Sequence, residues 1–153
     1  MNREQRRAAL KQANKIKGFD ITKGTLKVDV AGSDDQLEVD VMDFGVTSAL
    51  YELYERFSNI EKSYEEDYKA AFSDEDNVSA RFNLMKKIIM DFSSSVDTIF
   101  GEGACLKIFG HKYPQVIQIA EFIEDFKPVA AAIINASGIS EIGATDSNIT
   151  PIN

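Results

Sequence analysis

Apolar residues recur at alternating steps of four and three along the centre of the chain. They fall at Val78, Phe82, Met85, Ile89, Phe92, Val96 and Ile99, one stripe along a helix of about 33 Å at about 1.5 Å per residue. Ile88 and Phe100 widen the stripe into a face suited to a bundle core. Arg81, Lys86, Lys87, Asp91 and Asp97 lie off it and exclude a membrane span. Gly101 and Gly103 stop the helix, and a short turn from Ala104 to Phe109 closes at Gly110. Upstream, Leu50, Leu53, Phe57, Ile60, Tyr64, Tyr68 and Ala71 predict a helix from Thr47 to about Phe72, with Thr47 or Ser48 as its N-cap. Its half beyond Ile60 is polar and is expected to project from the core. The loop that follows is short, so the two helices should be antiparallel neighbours, the second capped by Asp74 or Asp76. Downstream, Pro114 suits the first turn of a last helix, whose stripe is Val116, Ile119, Ile123, Phe126, Ala130 and Ile133. Pro128 should kink or split it near Phe126. The apolar run from Val129 to Ala136 calls for burial on all sides or for cover by a partner.

Period two appears once. Leu26, Val28 and Val30, then Leu37, Val39 and Val41, alternate with polar residues around Gly32-Ser33-Asp34-Asp35, which predicts a β-hairpin over 25–42 with one buried face. A lone hairpin is marginal in water, so it must pack on the helices or pair with another chain. Together these patterns describe an α+β fold: a basic N-terminal helix, a β-hairpin and a mainly α-helical bundle over 47–138. A single domain would then span 1–138, with 139–153 as a flexible tail that Ile139, Ile142, Ile149 and Ile152 are able to anchor.

Charge is uneven along the 153 residues. Residues 1–27 hold Arg3, Arg6, Arg7, Lys11, Lys15, Lys17, Lys23 and Lys27 against Glu4 and Asp20, a net of +6. The remaining chain therefore carries −14 of a total of −8. Such a body repels phosphate, which argues against a nucleic-acid role. The arm over 1–17 is either a solvated helix or a docking arm that orders on a partner through Arg3, Arg6, Arg7 and Lys11. No apolar run follows the charged start, so no signal peptide is expected, and one cysteine fits a reducing cytoplasm.

Candidate chemistry is sparse. Cys105 and His111 are the only residues of their kinds. They cannot make a four-ligand zinc site, and no third group is in view to orient them as a dyad. They read as a buried small residue and a surface imidazole. Asp34-Asp35 and Asp74-Asp76 lack the ligand spacing and glycine of a calcium loop. The glycines around Glu102 follow no strand and precede no Lys-Ser or Lys-Thr, so they are no phosphate loop. No metal, cofactor or enzymatic activity is expected. Ser93-Ser94-Ser95 permits a close helix approach or a bend. Tyr64 and Tyr68, on an acidic helix, are either partner contacts or the edge of the core, and Val129, Ile133 and Ile134 are further contact candidates.

The stretch DTIFGEGACLKIFG (97–110), followed by a Pro-led helix ending EFIEDFKP (121–128), resembles the small tail assembly chaperones of long-tailed phages and prophages of Gram-positive bacteria, and the opening MNREQRRAALKQANK is similar to starts common among phage tail and head morphogenesis proteins. The residues that carry the resemblance are Phe100, Gly101, Gly103, Phe109 and the segment from Phe122 to Pro128. The resemblance implies a non-enzymatic protein that binds the tape measure protein, and tail tube subunits as a further partner, in the host cytoplasm during virion morphogenesis. The alternative is a structural tail-completion or neck protein of the virion, joined to its neighbours through the hairpin edge.

Overall fold

The computed structural model describes residues 16–30 and 36–139. The basic arm up to Lys15, the turn at 31–35 and the tail from 140 lie outside the described residues. The fold is α+β, an antiparallel three-stranded sheet followed by helices. Strands β2 (Thr25–Val30) and β3 (Gln36–Asp40) pair as their alternation requires, with Leu26 opposite Val39 and Val28 opposite Leu37. Leu26, Val28, Val30, Leu37 and Val39 are all buried on one face.

Strand β1 (Ile16–Thr22) overturns part of the N-terminal expectation, because Ile16 and Lys17 belong to the sheet and not to a basic helix. Its pairing with β2 slips between Ile16 and Gly18. That irregularity breaks the period of two and hides the strand from a pattern reading. Lys23 and Gly24 join β1 to β2 with consecutive positive φ angles of 53° and 81°, as a two-residue type I′ turn requires. Gly24 is needed twice over, since a Cβ there would collide with the Met42 side chain.

Helix α1 (Phe44–Ser58) starts earlier than the pattern suggests. Asp43 is its cap, its carboxylate accepting from the Gly45 N–H at 2.8 Å. Thr47 caps nothing: its hydroxyl donates to the Val41 carbonyl at 3.0 Å. The expected single helix to Phe72 is three pieces, α1, α2 (Ile60–Ser63) and α3 (Glu65–Phe72), broken at Asn59 and Tyr64. Asn59 caps α2 from its side chain, and Ser63 Oγ reaches back to the Arg56 carbonyl at 2.8 Å. Such short polar side chains compete with helical hydrogen bonds. Instead of projecting, the outer half folds back along the next helix, burying Tyr64 and Ala71.

That helix, α4 (Val78–Phe100), is capped by Asn77 rather than by Asp74 or Asp76. Its stripe holds from Ile89 onward, but Val78 and Phe82 are exposed, at 72% and 56%. The buried face there runs through Leu84 and Ile88 instead. A repeat of 3.5 drifts around a helix of 3.6 residues per turn, so the first members of a long stripe rotate off the contact face. Gly101 ends α4, and α5 (Ala104–Phe109) closes at left-handed Gly110, as expected. Asp97 builds the corner, accepting from the Cys105 N–H at 2.9 Å and the Gly103 N–H at 3.4 Å. Ser93 is buried and donates to the Lys112 carbonyl at 2.7 Å, fixing the loop that follows.

Helix α6 (Val116–Ala136) is preceded by buried Pro114 and capped by a reciprocal Gln115–Gln118 pair. It is not split at Pro128. Pro128 lies at an exposed position of the helix, beside buried Val129. The apolar run has a buried side at Val129, Ala130 and Ile133 and an exposed side at Ala131 and Ile134. The core is aromatic at its centre. Phe92 meets Phe57, Phe109 and Phe122 edge-on at centroid distances of 5.1, 5.7 and 5.8 Å, and Phe126 stacks on Phe122. Helix α6 packs along α1 and β1, and α4 meets β3.

A candidate partner-binding groove

The start of α1 and the last two turns of α6 lie side by side, and a groove of about 520 Å³ runs between them. Leu50, Ala130 and Ile133 line its buried floor, and Met42, Phe44, Tyr51 and Ile134 stand along it partly in water. Ala136 and Ser137 line the end where α6 stops. None of its lining residues is charged. Thr47 is the polar group nearest the helix start, and its hydroxyl is already bound to backbone carbonyls of Val41 and Asp43.

Local chemistry dictates this shape. The Asp43 cap fixes Phe44 as the first helical residue, where no preceding turn covers it, and it is 80% exposed. Met42, held by a hydrogen bond from its N–H to the Asp40 carboxylate, leans over the Gly24 turn and remains 75% exposed. Tyr51 lies two turns on along α1, and Ile134, 43% exposed, faces from α6. Isolated exposed apolar residues are ordinary, but several gathered around one apolar concavity mark an interaction surface.

The residues singled out from sequence fall in different places. Ile133 and Ile134 line the groove, one in its floor and one on its wall. Val129 is fully buried below it, so its side chain serves the core and offers no surface. Tyr64 is buried as well, so of its two readings the structure gives the core and not the surface contact. Its hydroxyl donates to the Asp91 carboxylate at 2.9 Å, the Arg56 guanidinium pairs with the same oxygen at 3.0 Å, and that guanidinium lies 5.2 Å over the Tyr64 ring. Burial first, and then the hydrogen bond to Asp91, push the Tyr64 phenol above its ordinary range. Tyr68 is half-buried, 4.5 Å from the Phe72 ring. Arg3, Arg6, Arg7 and Lys11 lie outside the described residues. Sequence reasoning missed Met42, Phe44 and Tyr51. The signal is the pair of large apolar residues flanking Asp43, of which the hairpin over 25–42 takes in Met42 and the helix from Thr47 leaves out Phe44.

Cys105 is fully buried, and burial pushes its thiol up to about 12. His111 is exposed. Among the described residues no group of three His, Cys, Asp or Glu side chains is arranged to hold a metal ion, and no helix is long and apolar enough to cross a membrane.

A family model described as a family of unknown function (DUF6673) matches residues 33–141, which take in α1 to α6 and the whole groove. No curated protein and no solved structure matches the chain.

Proposed function

The chain belongs to DUF6673, a family of unknown function, and we propose that it is a non-enzymatic tail assembly chaperone of a long-tailed phage or prophage, binding the tape measure protein in the host cytoplasm. The observation that carries this reading is the uncharged groove between α1 and α6, edged by Met42, Phe44, Tyr51 and Ile134. A tape measure chain is long and helix-rich, and its exposed apolar stripes aggregate until tube subunits enclose it. An amphipathic helix laid into an apolar groove hides such a stripe, and the acidic body keeps the complex in solution. The resemblance over 97–110 and 121–128 points the same way. It adds tail tube subunits as a further partner. In this reading the basic arm speeds encounter with acidic stretches of the partner, a contribution that salt screens over about 10 Å at 0.1 M.

Co-expression with a tape measure fragment tests it. The full-length chain should keep the fragment soluble, and Phe44→Asp should abolish this without lowering the protein's own melting temperature. Deleting residues 1–15, which leaves β1 intact, should slow association at low salt and matter little at high salt. Failure of the full-length chain to bind or solubilise the fragment overturns the reading. One feature favours a second reading, a structural tail-completion or neck protein: β1 and β3 end the described sheet, each paired on one side only, and such edges join subunits into rings. Stoichiometric copies in purified particles would select that alternative, since a chaperone leaves before the virion is finished.

A further inference from the structure

Strand β3 pairs with β2 on one side, and among the described residues no strand meets its other edge. The ladder shows what that edge presents. One step beyond the Thr25–Asp40 pair, the Val41 N–H donates to the Gly24 carbonyl at 2.9 Å, and bonded pairs alternate with non-bonded ones along an antiparallel ladder. Val39 and Leu37, opposite Leu26 and Val28, therefore turn their N–H and carbonyl groups toward β2. Gln36, Glu38 and Asp40 turn theirs away from the sheet, and all three are exposed. Open backbone groups in such a row are a template for a further strand.

The charge along the edge selects what pairs there. Glu38 and Asp40 lie on the outer face, where Lys27 reaches Glu38 from the middle strand at 4.0 Å, while Leu37 and Val39 are buried on the other face. A second copy paired antiparallel at β3, about an axis through the strand's centre, would set Glu38 against Glu38, and like charges directly opposite destabilise. Strand β1 of a neighbouring copy would bring Asp20, which shares the outer face with Lys27. We propose that the β3 edge takes up an extended, basic segment of a partner protein, in which lysine or arginine alternates with apolar residues. Its backbone bonds to the open groups of Gln36, Glu38 and Asp40, its cations face Glu38 and Asp40, and its apolar residues continue the row of Leu37 and Val39. This surface is separate from the groove between α1 and α6 and requires no helix in the partner.

Amide exchange of the full chain with a short blocked peptide of alternating lysine and valine tests it. In the free protein the Glu38 and Asp40 amides should exchange fast beside the slow amides of Leu37 and Val39. With peptide at about nine times its Kd they should slow roughly tenfold, whereas a peptide with glutamate in place of lysine should leave them unchanged. Glu38→Pro removes an N–H that makes no bond to β2, so it should keep the melting curve and abolish binding. Glu38→Lys leaves the backbone intact and should weaken binding several-fold at low salt. Phe44→Asp, which strikes the groove, should leave peptide binding unaltered, so this outcome is separate from that of the chaperone test. No slowing with the basic peptide, equal slowing with the acidic one, or full binding by both Glu38 variants would overturn the proposal. So would Glu38 and Asp40 amides already slow in the free protein: if dilution releases them, a second copy holds the edge, and if it does not, the chain covers the edge itself.

Discussion

Phe92 and Phe82 sit on one stripe of α4, and the structure gives them opposite fates. Phe92 is fully buried and touches three other rings edge-on, whereas Phe82 is 56% exposed. Burying a phenylalanine removes upwards of about 150 Å² from water, which at about 25 cal/mol per Å² is worth about 4 kcal/mol. Phe92→Ala keeps the small share that belongs to Cβ but leaves a cavity that Phe57, Phe109 and Phe122 fill only in part. Their edge-to-face contacts, worth roughly 0.5–1.5 kcal/mol a pair beyond area, are lost with the ring. The expected cost is therefore in the upper part of the roughly 3–5 kcal/mol range for such truncations. At about 2–4 °C per kcal/mol for a chain of this size, the midpoint should fall by roughly 8–20 °C in a calorimetric or circular-dichroism melt. Phe82→Ala, its control, should cost no more than about 0.5 kcal/mol. Equal shifts for the two substitutions, or a Phe92→Ala cost below about 1 kcal/mol, would refute the burial argument.

Two further predictions rest on single residues. With its thiol pushed up to about 12, roughly one Cys105 in ten thousand is thiolate at pH 8, so a thiol reagent should leave the native protein unmodified and react once denaturant is added. Because the folded pKa lies above the unfolded one, the neutral thiol's contribution is complete below about pH 8.5 and should be lost as pH rises toward 12, with the raised Tyr64 phenol adding in the same direction; alkaline urea titrations that showed rising stability would contradict the sign. Asp97→Ala removes the side-chain acceptor for the Cys105 and Gly103 N–H groups and should cost about 1–2 kcal/mol, the range of a lost cap. Amide exchange should quicken first in α5, and exchange unchanged there would show that the corner is held by packing alone.

The α+β class was legible because β2 and β3 alternate cleanly and α4 and α6 carry long periodic stripes, signals made by nearest neighbours in the chain. The stop at Gly101 and the closure of α5 at Gly110 were legible for the same reason, since a left-handed φ is a property of one residue. The groove was legible only in part. Ile133 and Ile134 stood out as apolar, but their partners across it, Met42, Phe44 and Tyr51, come from an element some eighty residues earlier in the sequence.

What the sequence determined by itself, then, is local: periods, caps of the right residue type, and a chain with few groups suited to chemistry. Tertiary structure decided which members of each pattern reach the core. It buried Tyr64 by bending the chain at Asn59 and Tyr64, and it exposed Val78 and Phe82 by rotating the start of α4 off its contact face. It turned Ile16 and Lys17 into strand by offering them the edge of β2. The physical reason is common to all of these. Side-chain periodicity is set by φ and ψ within one element, whereas burial is set by where a second element lies, and no residue encodes that alone.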